Sequence, residues 1–123
     1  MTQGDFGELS TLSEDPECRE TALPALDSWI TPTERFYVRN HFPTPSIDLS
    51  GWSLSIEGLV SSQLRLAYSD IRRLPKHTLA VTLECAGNNR SDLEPTVPGN
   101  RFGHGAIGTA IWAGACLSTV LQR

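Results

Sequence analysis

Alternation of apolar and polar residues predicts three strands along this chain. Residues 35–42 (RFYVRNHF) set Phe36 and Val38 against Tyr37 and Arg39. Residues 52–57 (WSLSIE) alternate Trp52, Leu54 and Ile56 inward with Ser53, Ser55 and Glu57 outward, and Gly58 closes the run. Residues 78–85 (TLAVTLEC) place Leu79, Val81, Leu83 and Cys85 on one face and Thr78, Ala80, Thr82 and Glu84 on the other. Two stretches are helical instead. Ser69 is expected as the N-cap of a short helix, DIRRL, with Asp70 favouring the positive end of its dipole and Pro75 stopping it. Near residue 123, Cys116 with Val120 and Leu117 with Leu121 have the i,i+4 spacing of one helix face. Between the strands, Pro43 and Pro45 disfavour both helix and ladder. Six of the ten glycines lie from Gly87 to Gly114, which predicts a loop-rich region where the backbone can approach a ligand closely.

At 123 residues the chain is sized for one domain, and 39% hydrophobic with 20% charged residues is a composition that can bury a core. The pattern changes at the start. Residues 1–27 hold seven acids against the single base Arg19, with Pro16 and Pro24 and no sustained period. This predicts a mobile acidic leader over residues 1–28. Residues 28–123 carry nine bases against seven acids, and eight of the nine bases are arginine, whose planar fork suits oxyanions. The formal net charge of −4 argues against a nucleic-acid binder. No apolar run approaches the ~18 residues of a membrane span, and MTQGDFGELS has neither a basic start nor an apolar stretch, so a cytoplasmic protein is expected. Three cysteines are too few for a disulfide scaffold.

Candidate chemistry centres on Cys85. Its place on an apolar strand face reads as a buried structural thiol. Its place at a strand end, before a glycine turn and Arg90, reads as a functional one, since a neighbouring cation favours the thiolate that attacks substrates or binds metal. The residues alone leave both readings open, and a Cys–His hydrolase as well. Gly103-His104-Gly105-Ala106-Ile107-Gly108 matches the dinucleotide fingerprint GxGxxG, but a Pro-Gly-Asn turn precedes it and no acid follows at the required distance. Asn89-Arg90-Ser91 is a glycosylation sequon without a secretory signal. The histidines and cysteines show no zinc spacing, and no C-x-x-C-H haem motif occurs.

The segments TPTERFYVRNHFPTP, WSLSIEGLV, SDIRRLP, TLECAGNNRS and EPTVPGNRFGHGAIGTAIWAG, in that order, together resemble the molybdopterin-binding domain of the sulfite oxidase family over roughly residues 29–122. The resemblance implies an α+β fold, a mixed sheet with short helices and long loops. It implies that residues 29–123 are the N-terminal part of an oxidoreductase domain that continues further in the family. Cys85, the cysteine of the C-A-G-N motif, would be the one protein ligand of a molybdenum held by molybdopterin, as suits a soft thiolate. Tyr37, Val38, Arg39, Asn40 and His41 would line the pterin and metal pocket, and Arg39 and Arg90 would face an anionic substrate. The implied activity is oxygen-atom transfer to sulfite or a related small substrate, with electrons leaving to a separate acceptor. Sulfoxide or nitrate reduction with the same ligand set, or an inactive fragment, are the alternatives. The chain departs from the family at Phe102, where many members have tryptophan, and at Ile111, where T-A-R-W is common.

Overall fold

The computed structural model describes residues 9–122. Their regular structure is mostly strand, with two α-helices of five residues each. By contact the chain divides into two compact units, Met1–Thr44 with Ala80–Ile111 and Pro45–Leu79 with Trp112–Arg123, where the sequence predicts one. The expected mixed sheet is replaced, among the described residues, by one three-stranded and two two-stranded sheets.

In the first unit, β1 (Leu9–Glu14) and β2 (Glu17–Thr21) form an antiparallel hairpin, and β3 (Val38–Arg39) pairs with β2. Of the leader expected over residues 1–28, residues 9–21 form this hairpin and residues 1–8 lie outside the described residues. Among the described residues, several acids of this stretch have partners. Glu17 faces Arg19 at 2.9 Å, the Glu20 carboxylate accepts the Gly103 N–H at 2.7 Å, and Asp27 pairs with Arg35. The buried positions are Cys18 and Thr21, small side chains that give a weak hydrophobic signal. The Thr21 hydroxyl donates to the Arg35 carbonyl and its N–H to the Gly105 carbonyl, so its burial costs little. Cys18, Phe102 and Ala106 form the core, with Leu12, Tyr37 and Cys85 packed against it.

The strand expected over 35–42 is only the two residues of β3, preceded by a 3-10 turn at Thr33–Arg35. Strand β6 (Lys76–Glu84) is the one predicted over 78–85, and Cys85 follows its last residue. Its apolar face is not covered by the described residues: Leu79 is 64% and Leu83 42% exposed. The glycine-rich region expected as loop contains β7 (Ile107–Ala115), which pairs with β6. Gly108 permits this, because a Cβ there would sit 2.8 Å from the Phe36 ring. A strand, and no helix, follows the GxGxxG letters, which removes the dinucleotide reading.

In the second unit, β4 (Ser53–Ile56) pairs antiparallel with β5 (Leu64–Ala67), with Leu54 opposite Leu66 and Ile56 opposite Leu64. Leu66, Leu74 and Val120 form its core, supported by Ile56, Ile71 and Ala115. Leu54, expected inward, is exposed. Helix α1 (Tyr68–Arg72) begins one residue before Ser69, whose expected capping role is not taken; the Asp70 carboxylate accepts the Ala67 N–H at 2.9 Å instead. Helix α2 (Leu117–Leu121) starts from Cys116 and buries Val120, in line with the i,i+4 spacing. No helix among the described residues is long and apolar enough to cross a membrane.

Candidate functional site

Strand β6 ends by handing Cys85 to a tight turn. The Cys85 N–H donates to the Ala106 carbonyl at 2.9 Å, and its own carbonyl accepts the Asn88 N–H at 2.9 Å. The Asn88 side chain locks the turn, accepting the Ala106 N–H and donating to Glu84. Asn89 then takes a left-handed conformation (φ 62°), which asparagine tolerates, and delivers the chain to a 3-10 turn at Arg90–Asp92. Cys85 is thereby held half-buried, with its sulfur accepting the Gly87 N–H at 3.3 Å. A thiolate accepts such a bond more strongly than a thiol does.

Cys85 opens into a cleft of about 230 Å³ in the first unit, lined by Arg39, Cys85, Ala86, Gly87, Arg90, Gly99, Asn100 and Phe102. Arg90 lies against two glycines. A Cβ on Gly87 would come within 3.4 Å of its guanidinium and 3.6 Å of the Cys85 sulfur, and one on Gly99 within 2.9 Å of Nη1. Gly99 also has a φ of +109°, a conformation other residues rarely adopt. Arg90 Nη1 donates to the Pro98 carbonyl at 2.8 Å. Arg39, exposed at the end of β3, donates to the Asn40 carbonyl and contacts His41 Nδ1 at 3.3 Å. Among the described residues, two cationic side chains and no carboxylate line the cleft, which suits a small anion.

The structure thus brings Cys85, Arg39 and Arg90 together, from positions 46 and 51 residues apart in sequence relative to Arg39. The other expected pocket residues are placed differently. Tyr37 packs on the core beside Cys85, and its phenol is pushed above its usual value of 10.0 by burial first, then by Cys85 and Glu84. Asn40 acts through its backbone, its N–H donating to Glu17 and its carbonyl accepting the Cys18 thiol. Val38 pairs with Arg19 in the hairpin sheet, and His41 is exposed against Phe42; neither lines the cleft. Asn100 and Gly99 line it without having been singled out, although the Pro-Gly-Asn turn was visible. Cys18 had no sequence signal.

The donor set can be tested against the implied cofactor. Cys85 is a single soft ligand, and among the described residues no group of three or more His, Cys, Asp or Glu side chains converges on a metal site. A metal bound at Cys85 would need its other ligands from a non-protein chelate, which is what a dithiolene-bearing pterin provides. The residues fit the group.

Residues 41–123 match the family described as the oxidoreductase molybdopterin binding domain. Sulfite oxidase from Arabidopsis thaliana is 39% identical over 118 residues, 93% of this chain and 30% of that protein. Mitochondrial sulfite oxidase from Rattus norvegicus is 44% identical over 100 residues, 79% of this chain and 18% of that protein. An NADPH nitrate reductase from Aspergillus niger is 37% identical over 111 residues, 84% of this chain and 13% of that protein. The sulfane dehydrogenase SoxCD from Paracoccus pantotrophus has a similar fold, with a TM-score of 0.74 at 27% identity, covering 89% of this chain and 28% of that chain. The chain therefore spans less than a third of each of these proteins.

Proposed function

Because the chain belongs to the oxidoreductase molybdopterin-binding domain family, we propose that it supplies the thiolate and anion-binding part of a molybdenum active site that oxidises sulfite. The carrying observation is the position of the Cys85 sulfur in a cleft whose charged lining is Arg39 and Arg90. Cys85 would hold the molybdenum of the pterin cofactor, which when bound supplies two-electron oxygen-atom transfer. The half-buried, glycine-backed Arg90 fixes the approach of the anion by presenting the guanidinium edge that Pro98 leaves free. Arg39, more exposed, adds charge at the mouth and draws the anion in. Asn88 and Ala106 hold the Cys85 backbone, so the thiolate keeps its place as substrate comes and goes. Electrons would pass to a separate acceptor. Nitrate reduction is the second reading, favoured by the Aspergillus niger relative and by a cleft whose charge suits either oxyanion.

Purified full-length protein is tested for molybdenum content, sulfite oxidation and nitrate reduction, as wild type and as Cys85→Ser. A hydroxyl stays protonated near neutral pH and is a poor soft ligand. The serine variant should fold, lose turnover and lose the cysteine's share of the molybdenum–sulfur signal in X-ray absorption, while the share of the dithiolene persists. Wild-type turnover with an unchanged signal would show that another residue holds the metal.

A further inference from the structure

The Cys18 thiol is fully buried, yet it is not a purely apolar filler. It donates to the Asn40 carbonyl at 3.3 Å and accepts the Asn100 side-chain amide at 2.9 Å. One partner, Asn100, lines the cleft itself, and the other, Asn40, adjoins the lining residue Arg39. The Asn40 carbonyl is the group that also receives the Arg39 guanidinium, and Arg39 lies directly across the strand ladder from Cys18. Asn100 ends the Pro98–Asn100 turn, whose Pro98 carbonyl receives Arg90 and whose Gly99 backs the same guanidinium. Arg39 is thus oriented by the same carbonyl that Cys18 holds, and Arg90 by a carbonyl two residues from the Asn100 amide that Cys18 holds.

We propose that Cys18 is a positioning residue: it ties together the two segments that aim Arg39 and Arg90, and so sets their affinity for an oxyanion. The proposal rests on the reading of the cleft as an anion site. The hairpin carrying Cys18 then has a part in substrate recognition without touching substrate. Apolar packing alone would explain neither hydrogen bond, since the core cluster could be filled by an alanine or valine at this position.

The test uses the full-length protein with its cofactor, and inorganic sulfate as the probe, with affinity measured calorimetrically beside the thermal midpoint. Cys18→Ala removes both hydrogen bonds and should weaken sulfate binding roughly three- to tenfold, raising the sulfite KM alike while changing kcat less. Cys18→Ser keeps a donor and an acceptor and should restore affinity to within about twofold of wild type. Leu12→Ala truncates a side chain packed on the same core but bonded to neither segment. It should lower the midpoint and leave sulfate affinity unchanged. Cys18→Val replaces the alanine variant if that fails to fold, because it fills the volume without a donor. Wild-type sulfate affinity in the alanine or valine variant would overturn the proposal, as would an equal loss in Leu12→Ala. Arg39→Gln and Arg90→Gln separate the two levels. If neither weakens sulfate, the anion reading has failed; if both do and the Cys18 variants do not, only the positioning role has.

Discussion

Gly105→Ala is the substitution this fold should tolerate least. Gly105 is buried where the end of β2 meets the segment leading into β7, and a Cβ there would lie 1.9 Å from the Thr21 carbonyl oxygen. Real Cβ contacts do not fall under 3.0 Å, so one backbone must retreat by about 1.1 Å. Neither is a flexible side-chain tip that can swing away. The Thr21 N–H to Gly105 carbonyl bond, 3.0 Å long, would break, leaving a buried donor without a partner. Losing that bond and stranding its donor costs about 2–4 kcal/mol together. The strain spreads to the Glu20–Gly103 contact on the same edge and to Ala106, whose carbonyl holds the Cys85 N–H. Urea unfolding of the full-length protein measures the loss. Limited proteolysis, with cleavage in the β1–β2 hairpin, should locate it. An alanine variant within about 0.5 kcal/mol of wild type would refute the close packing of β2 on this segment.

Other positions should respond in distinct ways. Gly114→Ala, with nothing within 4 Å of the added Cβ, should be neutral or stabilise by about 0.5 kcal/mol in the same urea assay. Arg90→Gln should weaken sulfate or sulfite binding by about 1.5–3 kcal/mol, roughly ten- to hundredfold. Arg39→Gln should do less, because its side chain is exposed and screened, and a neutral substrate should feel neither change. Tyr37 has its phenol raised above 10.0 in the folded chain, so as pH climbs past 10 the unfolded chain loses its proton first. Stability should therefore fall across that window and be unaffected below it. Tyr37→Phe should flatten the fall between urea midpoints taken at about pH 9 and about pH 11.

Long, regular alternation was readable in the sequence. The strands at 53–56 and 76–84 and the helix at 117–121 each keep one period over their length. The hairpin at 9–21 was not readable, for two physical reasons. A register shift between Thr11 and Ser13 breaks its alternation, and its buried residues are a cysteine and a threonine, not large hydrophobes. Strand β7 was hidden by its two glycines, of which Gly108 serves close approach under Phe36. At the site, Cys85 and Arg90 were legible because one short turn carries both. Asn100 and Cys18 were not, because their contact joins residues 82 apart in sequence.

That separation also bears on the order in which the molecule assembles. The hairpin can zip up early, from residues a few positions apart, but its cleft-forming contacts wait for residues 100–105. Closing a loop of this length costs about 4 kcal/mol of chain entropy before any contact repays it. On the ribosome, β1 and β2 must therefore stand undocked, with Cys18 accessible, until more than eighty further residues have emerged. Oxidants and thiol reagents that cannot reach Cys18 in the finished fold have their opportunity in that interval. The maturing chain is then vulnerable at a position the native protein shields completely.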